Sequence, residues 1–530
     1  MRSSKARNNL AVVVVVEHQR IAHHAGPLST EVEGREHTRS CEAMDSAGCT
    51  SPQAVLAKAS SLVDAIQTKE GYDQAVQQRG LDVVEAEITA VMADICQLMA
   101  SSSPLRLDAM LQLNRLLPIK HIDRFAKAIG VGVLPAAVEQ LSGRHEMESG
   151  AAAWLLGMLA VNHAAAVADA GAVPPLVQLV SSRTDRVCKG AMGALRMIMA
   201  GSVDRRDAVV AAGVLQPLLT VVREAASTEV MAVGLCLLCD VWAVTESPPL
   251  PAPLAEFAPF LPVLVSLIAA PQQDDGVLEP ARVALAHFAT WCDEQDGTDG
   301  DRDALVECGA VGSLKTMAAV GAGRGAHEVA GLIVIFIAAG SPAHVQAVID
   351  GDLVPLLISM AVSEESHPQV KVIAAGAVGN VAHGSQQQAE YVVECGGVQP
   401  LCDALGDDND NRENTIKALD NILRAGRQKQ ANEGLPDNPY STLVDQAGGV
   451  DKVVELQTHE DVDIAVPAVM LVADHYPDRV DPQGLQALMQ AAAEEGGDDE
   501  DGESDVDTDV SEDDSRSGGE GEGEGAGGEA

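Results

Sequence analysis

Apolar residues recur along this chain in short runs rich in Leu, Val and Ala, spaced as one face of a helix. One phrase introduces run after run: a glycine, one or two apolar residues, often a proline, then a leucine-rich stretch. It reads Gly132-Val133-Leu134-Pro135, then Gly171-Ala172-Val173-Pro174-Pro175-Leu176, then Gly213-Val214-Leu215-Gln216-Pro217-Leu218. A degenerate copy is Pro259-Phe260-Leu261-Pro262-Val263-Leu264, and later copies open at Gly309, Gly351, Gly396 and Gly448. The glycine suits the sharp left-handed turn that ends a short helix. The proline suits the first turn of the next helix, where its missing N–H costs nothing. A polar turn such as Ser181-Ser182-Arg183-Thr184-Asp185 then leads into a third helix of Ala, Leu and Met. No stretch alternates apolar and polar residues long enough to argue for a sheet.

Successive phrases lie 39, 42, 42 and 45 residues apart at Gly132–Gly171, Gly171–Gly213, Gly309–Gly351 and Gly351–Gly396. A period of roughly 40–47 residues is that of armadillo and HEAT arrays, and three helices per unit is the armadillo plan. One such unit cannot bury its own apolar face, so neighbours stack into one core. The expected fold is therefore all-α, an armadillo-repeat right-handed superhelical solenoid with a disordered N-terminal leader and an acidic C-terminal tail. The expected segments are a leader over 1–50, a helical lead-in over 51–87, the repeat array over 88–476 and the acidic tail over 477–530.

Composition narrows the picture. Hydrophobic residues make up 46% but aromatics only 2%, so the core is expected to be packed from Ala, Val, Leu and Ile. The net charge is -43, and the stretch from Glu494 onward alone holds 17 acidic residues against one base, Arg516. Such acidity repels phosphate backbones and points away from nucleic acid, toward basic peptides or proteins. Most of the ten cysteines lie in apolar runs, as buried thiols do. Cys236 and Cys239 form one CxxC inside a Leu-rich helix, with no second pair to complete a metal site. No apolar run in the sequence reaches membrane length, so no membrane partner is expected. There is no Walker A loop, no GxSxG and no HExxH, hence no expectation of an enzyme, a metal or a cofactor.

Several segments resemble the importin-α family. Asp420-Asn421-Ile422-Leu423-Arg424-Ala425-Gly426 is similar to a late-repeat helix of that family, and the stretch from Asn438 through Val450 and Lys452 to His459 is similar to its closing segment. Upstream, Ser202-Val203-Asp204-Arg205-Arg206-Asp207, Gln346-Ala347-Val348-Ile349-Asp350 and Val398-Gln399-Pro400-Leu401-Cys402-Asp403 follow in family order. Pro248-Pro249 ahead of Phe260 is similar to its proline-rich fourth unit.

The resemblance implies a nuclear import adaptor of cytoplasm and nucleus. Its partners would be cargo proteins with basic signal peptides, importin-β and an export receptor. In that family the third helices carry a Trp and, four positions on, an Asn along the concave face. The Trp rings sandwich the stem of a cargo Lys or Arg, and the Asn holds the peptide backbone. Carried over position by position, the cargo-binding residues here are Trp154, Asp240 and Asn380. The ladder is otherwise eroded. Met158 follows Trp154, Gly193 and Met197 form the next pair, then Cys236 and Asp240 with Trp242 nearby, Val283 and His287, and Leu332 and Phe336, while Gly376 precedes Asn380. The family's basic N-terminal arm has no counterpart, because residues 1–87 hold no Arg/Lys cluster. The resemblance leaves two functional readings: a divergent import adaptor, or an armadillo scaffold that has lost classical cargo binding.

Overall fold

The structure is a computed structural model that describes residues 51–482, apart from 67–68, 118–123, 144, 243–253, 271–273, 295–297, 319–323 and 407–410. The expected leader, nearly all of the expected tail, and the Pro248-Pro249 pair lie outside the described residues. The described residues are helical throughout, with no strand among them.

Ten helices form an inner row, each packed on the next: α1 (Pro52–Ile66), α2 (Arg106–Leu116), α3 (Glu146–Asp169), α4 (Asp185–Met199), α5 (Thr228–Trp242), α6 (Asp275–Glu294), α7 (Arg324–Ala338), α8 (Pro368–Ala382), α9 (Arg412–Glu433) and α10 (Val462–His475). From α3 onward each closes a three-helix unit whose two shorter helices stack outside it. In the last unit these are Pro439–Gln446 and Gly449–Leu456. The buried apolar residues join into one core running from Val55 to Val472, the continuous core that stacked repeats require.

The recurring glycines perform the predicted turn. Gly132, Gly171, Gly213, Gly309, Gly396 and Gly448 all have φ between 69° and 89°, and Pro174 and Pro355 sit in the first turns of the following helices. The copy at Gly351 differs. Its φ is -73°, and the left-handed residue is Asp352 at φ 55°. Gly351 is needed for space instead, because a Cβ there would lie 2.3 Å from Val311 Cγ1.

The first helices of five units are fastened at their starts. Ser202, Ser385 and Asn438 accept backbone N–H groups as N-caps, and Thr298, Ser341 and Ser385 complete capping boxes with Asp301, His344 and Gln388. Long polar side chains then tie one unit to the next. Arg124, fully buried, donates to the Leu116 carbonyl at 2.8 Å, and Gln388 donates to the Pro342 carbonyl at 2.8 Å; within one unit, Arg302 donates to the Phe336 carbonyl at 3.0 Å while its guanidinium covers the Phe336 ring at 4.8 Å. Burial draws the Arg124 guanidinium down to about 10, so it stays charged at neutral pH.

The buried core is mainly Ala, Val, Leu and Ile, and several of its few aromatics gather at one place, where Trp242 meets Phe257, Phe260 and Phe288 at centroid distances of 5.5, 6.2 and 6.0 Å. One expectation needs revision: α3, at 24 residues, is long and apolar enough to cross a membrane, a length the run-by-run reading missed. Half of its most apolar window is buried against neighbours, and non-helical angles at His163 divide it into the third helix of one unit and the first of the next.

The inner helices approach closely where their residues are small. At the α3–α4 seam a Cβ on Gly157 would meet Ala194 Cα at 3.3 Å, and at α7–α8 a Cβ on Gly331 would meet Ile373 Cγ2 at 2.4 Å. Gly193, by contrast, faces open space. Gly331→Leu should therefore cost about 1–3 kcal/mol through overpacking. Gly193→Ala should be neutral or stabilise by up to about 1 kcal/mol. Melting temperatures of the two variants against the parent chain check the contrast.

Candidate peptide-binding groove

The exposed edge of the inner row is where the ladder positions fall, and its character changes along the array. On α3, Trp154 and Met158 are half-buried, and on α4 so are Gly193 and Met197. This end of the row is open to solvent. On α6 and α7 the equivalent positions are shut: Val283 and His287 are each 2% exposed, Leu332 and Phe336 each 1%. His287 is thus a buried side chain. Trp242, which stood near the ladder in sequence, belongs to the core aromatic cluster.

Asp240 is half-buried and already engaged. It pairs with the Arg196 guanidinium of α4, and the two side chains are 16% and 10% exposed. Burial tends to lower the Arg196 pKa, and the Asp240 charge outweighs it, so the net shift is upward. On α8, Asn380 donates its Nδ2 to the Ile335 carbonyl of α7 at 3.0 Å, which leaves its Oδ1 as the acceptor for other groups. Gly376, one turn earlier, is roofed by Asn411. A Cβ on Gly376 would lie 2.9 Å from Asn411 Nδ2, and that nitrogen donates to the Val372 carbonyl at 3.1 Å.

The structure does not bring Trp154, Asp240 and Asn380 to one point. They stand on α3, α5 and α8, a spacing that only an extended ligand running along the row would connect.

Charge is partitioned between the two layers. The inner-row helices together hold fourteen Lys and Arg against eighteen Asp and Glu, whereas the whole chain holds 35 against 78. Most of the acidic surplus therefore lies outside the row. The row's acids are largely paired, Glu229 with Lys189, Glu328 with Arg324 and Glu413 with Lys417.

Residues 438–489 match the atypical Arm repeat family and residues 162–200 the armadillo/beta-catenin-like repeat. Importin subunit alpha-8 of Arabidopsis thaliana is 27% identical over 445 residues, which span 74% of this chain and 95% of that protein. Importin subunit alpha-1b of Oryza sativa subsp. japonica is 26% identical over 465 residues, 77% of this chain and 82% of that one. Over about three quarters of its length the chain is thus similar to importin-α subunits. Among solved structures, an engineered protein shares the fold at TM-score 0.55 and 21% identity, covering 83% of this chain and 93% of its own.

The row holds a second asparagine that reaches back to the preceding unit, which sequence reasoning missed. Asn421 on α9 donates Nδ2 to the Ala382 carbonyl at 2.6 Å, the same reach to the preceding unit that Asn380 makes. Its signal in the sequence was the asparagine within Asp420-Asn421-Ile422, which served only as a family marker there.

The CxxC lies in the packed interior: Cys239 Sγ donates to the Pro280 carbonyl at 3.3 Å, and burial pushes its thiol well up. Asp420, Asp474 and His475 converge at the end of the row, but Arg424 bridges the two carboxylates at 2.8 and 3.0 Å, so the group is a charge network joining α9 to α10. Burial works to raise the Asp420 pKa, and the His475 hydrogen bond with the Arg424 charge outweighs it, leaving it lowered. A depressed carboxylate stabilises the fold above its ordinary pKa of about 4 and loses that contribution as pH falls through its folded value. The melting temperature should fall more steeply below about pH 4 in the parent chain than in Asp420→Asn. Separately, Arg196→Met should cost about 1–3 kcal/mol by leaving Asp240 half-buried without its partner, and Arg196→Met with Asp240→Leu should recover much of that loss in urea unfolding.

Proposed function

We propose that this chain is an import adaptor of the importin-α type that holds an extended segment of a partner protein along its inner row, moving between cytoplasm and nucleus. The family-level role is that of a non-enzymatic adaptor in nuclear import, and the named relatives are importin subunits. The observation that carries the reading is the pair Asn380 and Asn421. Each has its Nδ2 fixed on a carbonyl of the preceding unit, so each amide is held in place with its Oδ1 as a ready acceptor for a backbone N–H. In this reading Trp154 stacks on a partner side chain, Asn380 clamps the backbone, and Asp240 receives a cationic head only in exchange for Arg196. The partners are proteins with basic signal peptides. An export receptor would dock at the last unit. Importin-β would have to engage without a basic cluster in residues 1–87.

The second reading, a scaffold without classical cargo binding, is favoured by the buried ladder positions of α6 and α7, which no peptide in the groove can touch.

The test is titration of the whole chain into a labelled Lys/Arg-rich signal peptide, with a Lys-to-Ala peptide as control. Under the adaptor reading binding requires the lysines and weakens about fivefold or more in Asn380→Ala, the worth of about one hydrogen bond. Lysine-independent binding, or none, leaves the scaffold reading.

A further inference from the structure

Every earlier helix of the inner row is covered by the next one; α10 is the last, and no further inner helix covers it among the described residues. Its outward face is apolar. Val462, Val466, Met470 and Ala473 recur at helical spacing. Val462 and Met470 are 55% and 53% exposed, while Ala465, Ala468 and Val472 on the opposite face are buried. Stacked repeats leave such a face bare at the end of the array unless something caps it.

The described chain ends beside this face. After α10 it turns back: Arg479 pairs with Asp451 at 2.6 Å, its carbonyl accepts from Gln457 Nε2 at 3.2 Å, and Asp481 donates its backbone N–H to Gln457 Oε1 at 2.9 Å. Gln457, fully buried, closes the outer helix Gly449–Leu456 and stands five residues before Val462. The chain has therefore returned to the Val462 end of α10. Pro482, the last described residue, is already helical, and proline suits a first turn.

The sequence that follows fits the face. Leu485, Leu488, Met489 and Ala492 have the spacing of one helix face, and no side chain from Pro482 to Ala493 is charged. At about 1.5 Å per residue, a helix would carry Leu485 to Ala492 over about 11 Å, against about 12 Å from Val462 to Met470. Charge selects this occupant over two others. Glu460, Asp461 and Asp463 are exposed at the Val462 end. They repel the run from Glu494 onward, with its 17 acidic residues against one base, and a second copy docking by the same face would add its own acids to them.

We propose that residues 483–493 form a helix that docks on Val462, Val466 and Met470 and caps the array in cis. Leu485, Leu488 and Met489 face α10, and Gln486 and Gln490 face water. The cap carries the chain from the outer layer to the far end of α10, where Arg427 donates to the Asp474 carbonyl at 3.3 Å. Glu494 then opens the acidic run beside two exposed bases, Arg424 and Arg427. This goes beyond the adaptor reading and does not depend on it.

The test is amide hydrogen exchange, read by mass spectrometry on the full chain, with a free peptide of residues 480–496 as the reference. Amides of residues 486–493 are expected to exchange about tenfold or more slowly in the chain than in the peptide. Met470→Asp on the face, and Leu485→Asp with Leu488→Asp on the segment, should each return them to the peptide's rate. The inner helices should keep their protection in both variants, which shows that the array still folds. Exchange at the peptide's rate in the parent chain overturns the proposal, and so does protection that Met470→Asp leaves unchanged, since the segment would then lie elsewhere. Light scattering separates the remaining occupant: a parent dimer that Met470→Asp makes monomeric, with residues 486–493 unprotected in both, means that a second copy covers the face and also overturns the proposal. Signal-peptide titration of the same parent chain is a separate readout, whose failure sinks the adaptor reading and leaves the cap standing.

Discussion

Everything in this chain depends on each inner helix burying itself against the next. A single unit offers two short helices and one long one, too little to close a core, so the apolar faces of α3 through α10 are satisfied only by their neighbours. Where that contact is tightest, the residues are the smallest. Gly157 lets the Ala194 backbone approach within van der Waals range, and Gly331 leaves room for the Ile373 side chain. The same closeness determines which side chains are squeezed to the solvent edge, and so what the groove can present.

Polar groups specify the register of this stacking. Buried side chains such as Arg124 and Gln388 reach carbonyls of the preceding unit, so sliding one unit past another would leave buried donors unpaired. Asn380 and Asn421 belong to the same set of braces. Under the proposed function, the side chains that tie these units together also hold the partner's backbone.

The row differs along its length for reasons of packing more than of pattern. At α6 and α7 the ladder positions turn inward, Phe336 under the Arg302 guanidinium and Val283 into the core. At α3 and α4 they remain at the edge, because small residues at the seam take the contact and leave Trp154, Met158 and Met197 outside it. The acidic excess of the chain lies mainly outside the row, and the inner acids are balanced by bases one helix away. Net charge alone suggested a strongly acidic groove; the row's own balance is close to neutral.

The sequence by itself determined the helical units, their period and their turns, because these follow from local rules. Glycine at a left-handed position, proline in a first turn and apolar residues at helical spacing act within a few residues of one another. It also carried the family likeness through segments such as Asp420 to Gly426. Only the tertiary structure decided which ladder positions are open, that Arg196 occupies Asp240, that Asn411 roofs Gly376, and that Trp242 is core. Each of those outcomes involves residues about fifteen to forty-five positions apart, on neighbouring units. No pattern within one helix specifies how closely the next will approach, and that distance is what separates a buried side chain from one offered to a partner.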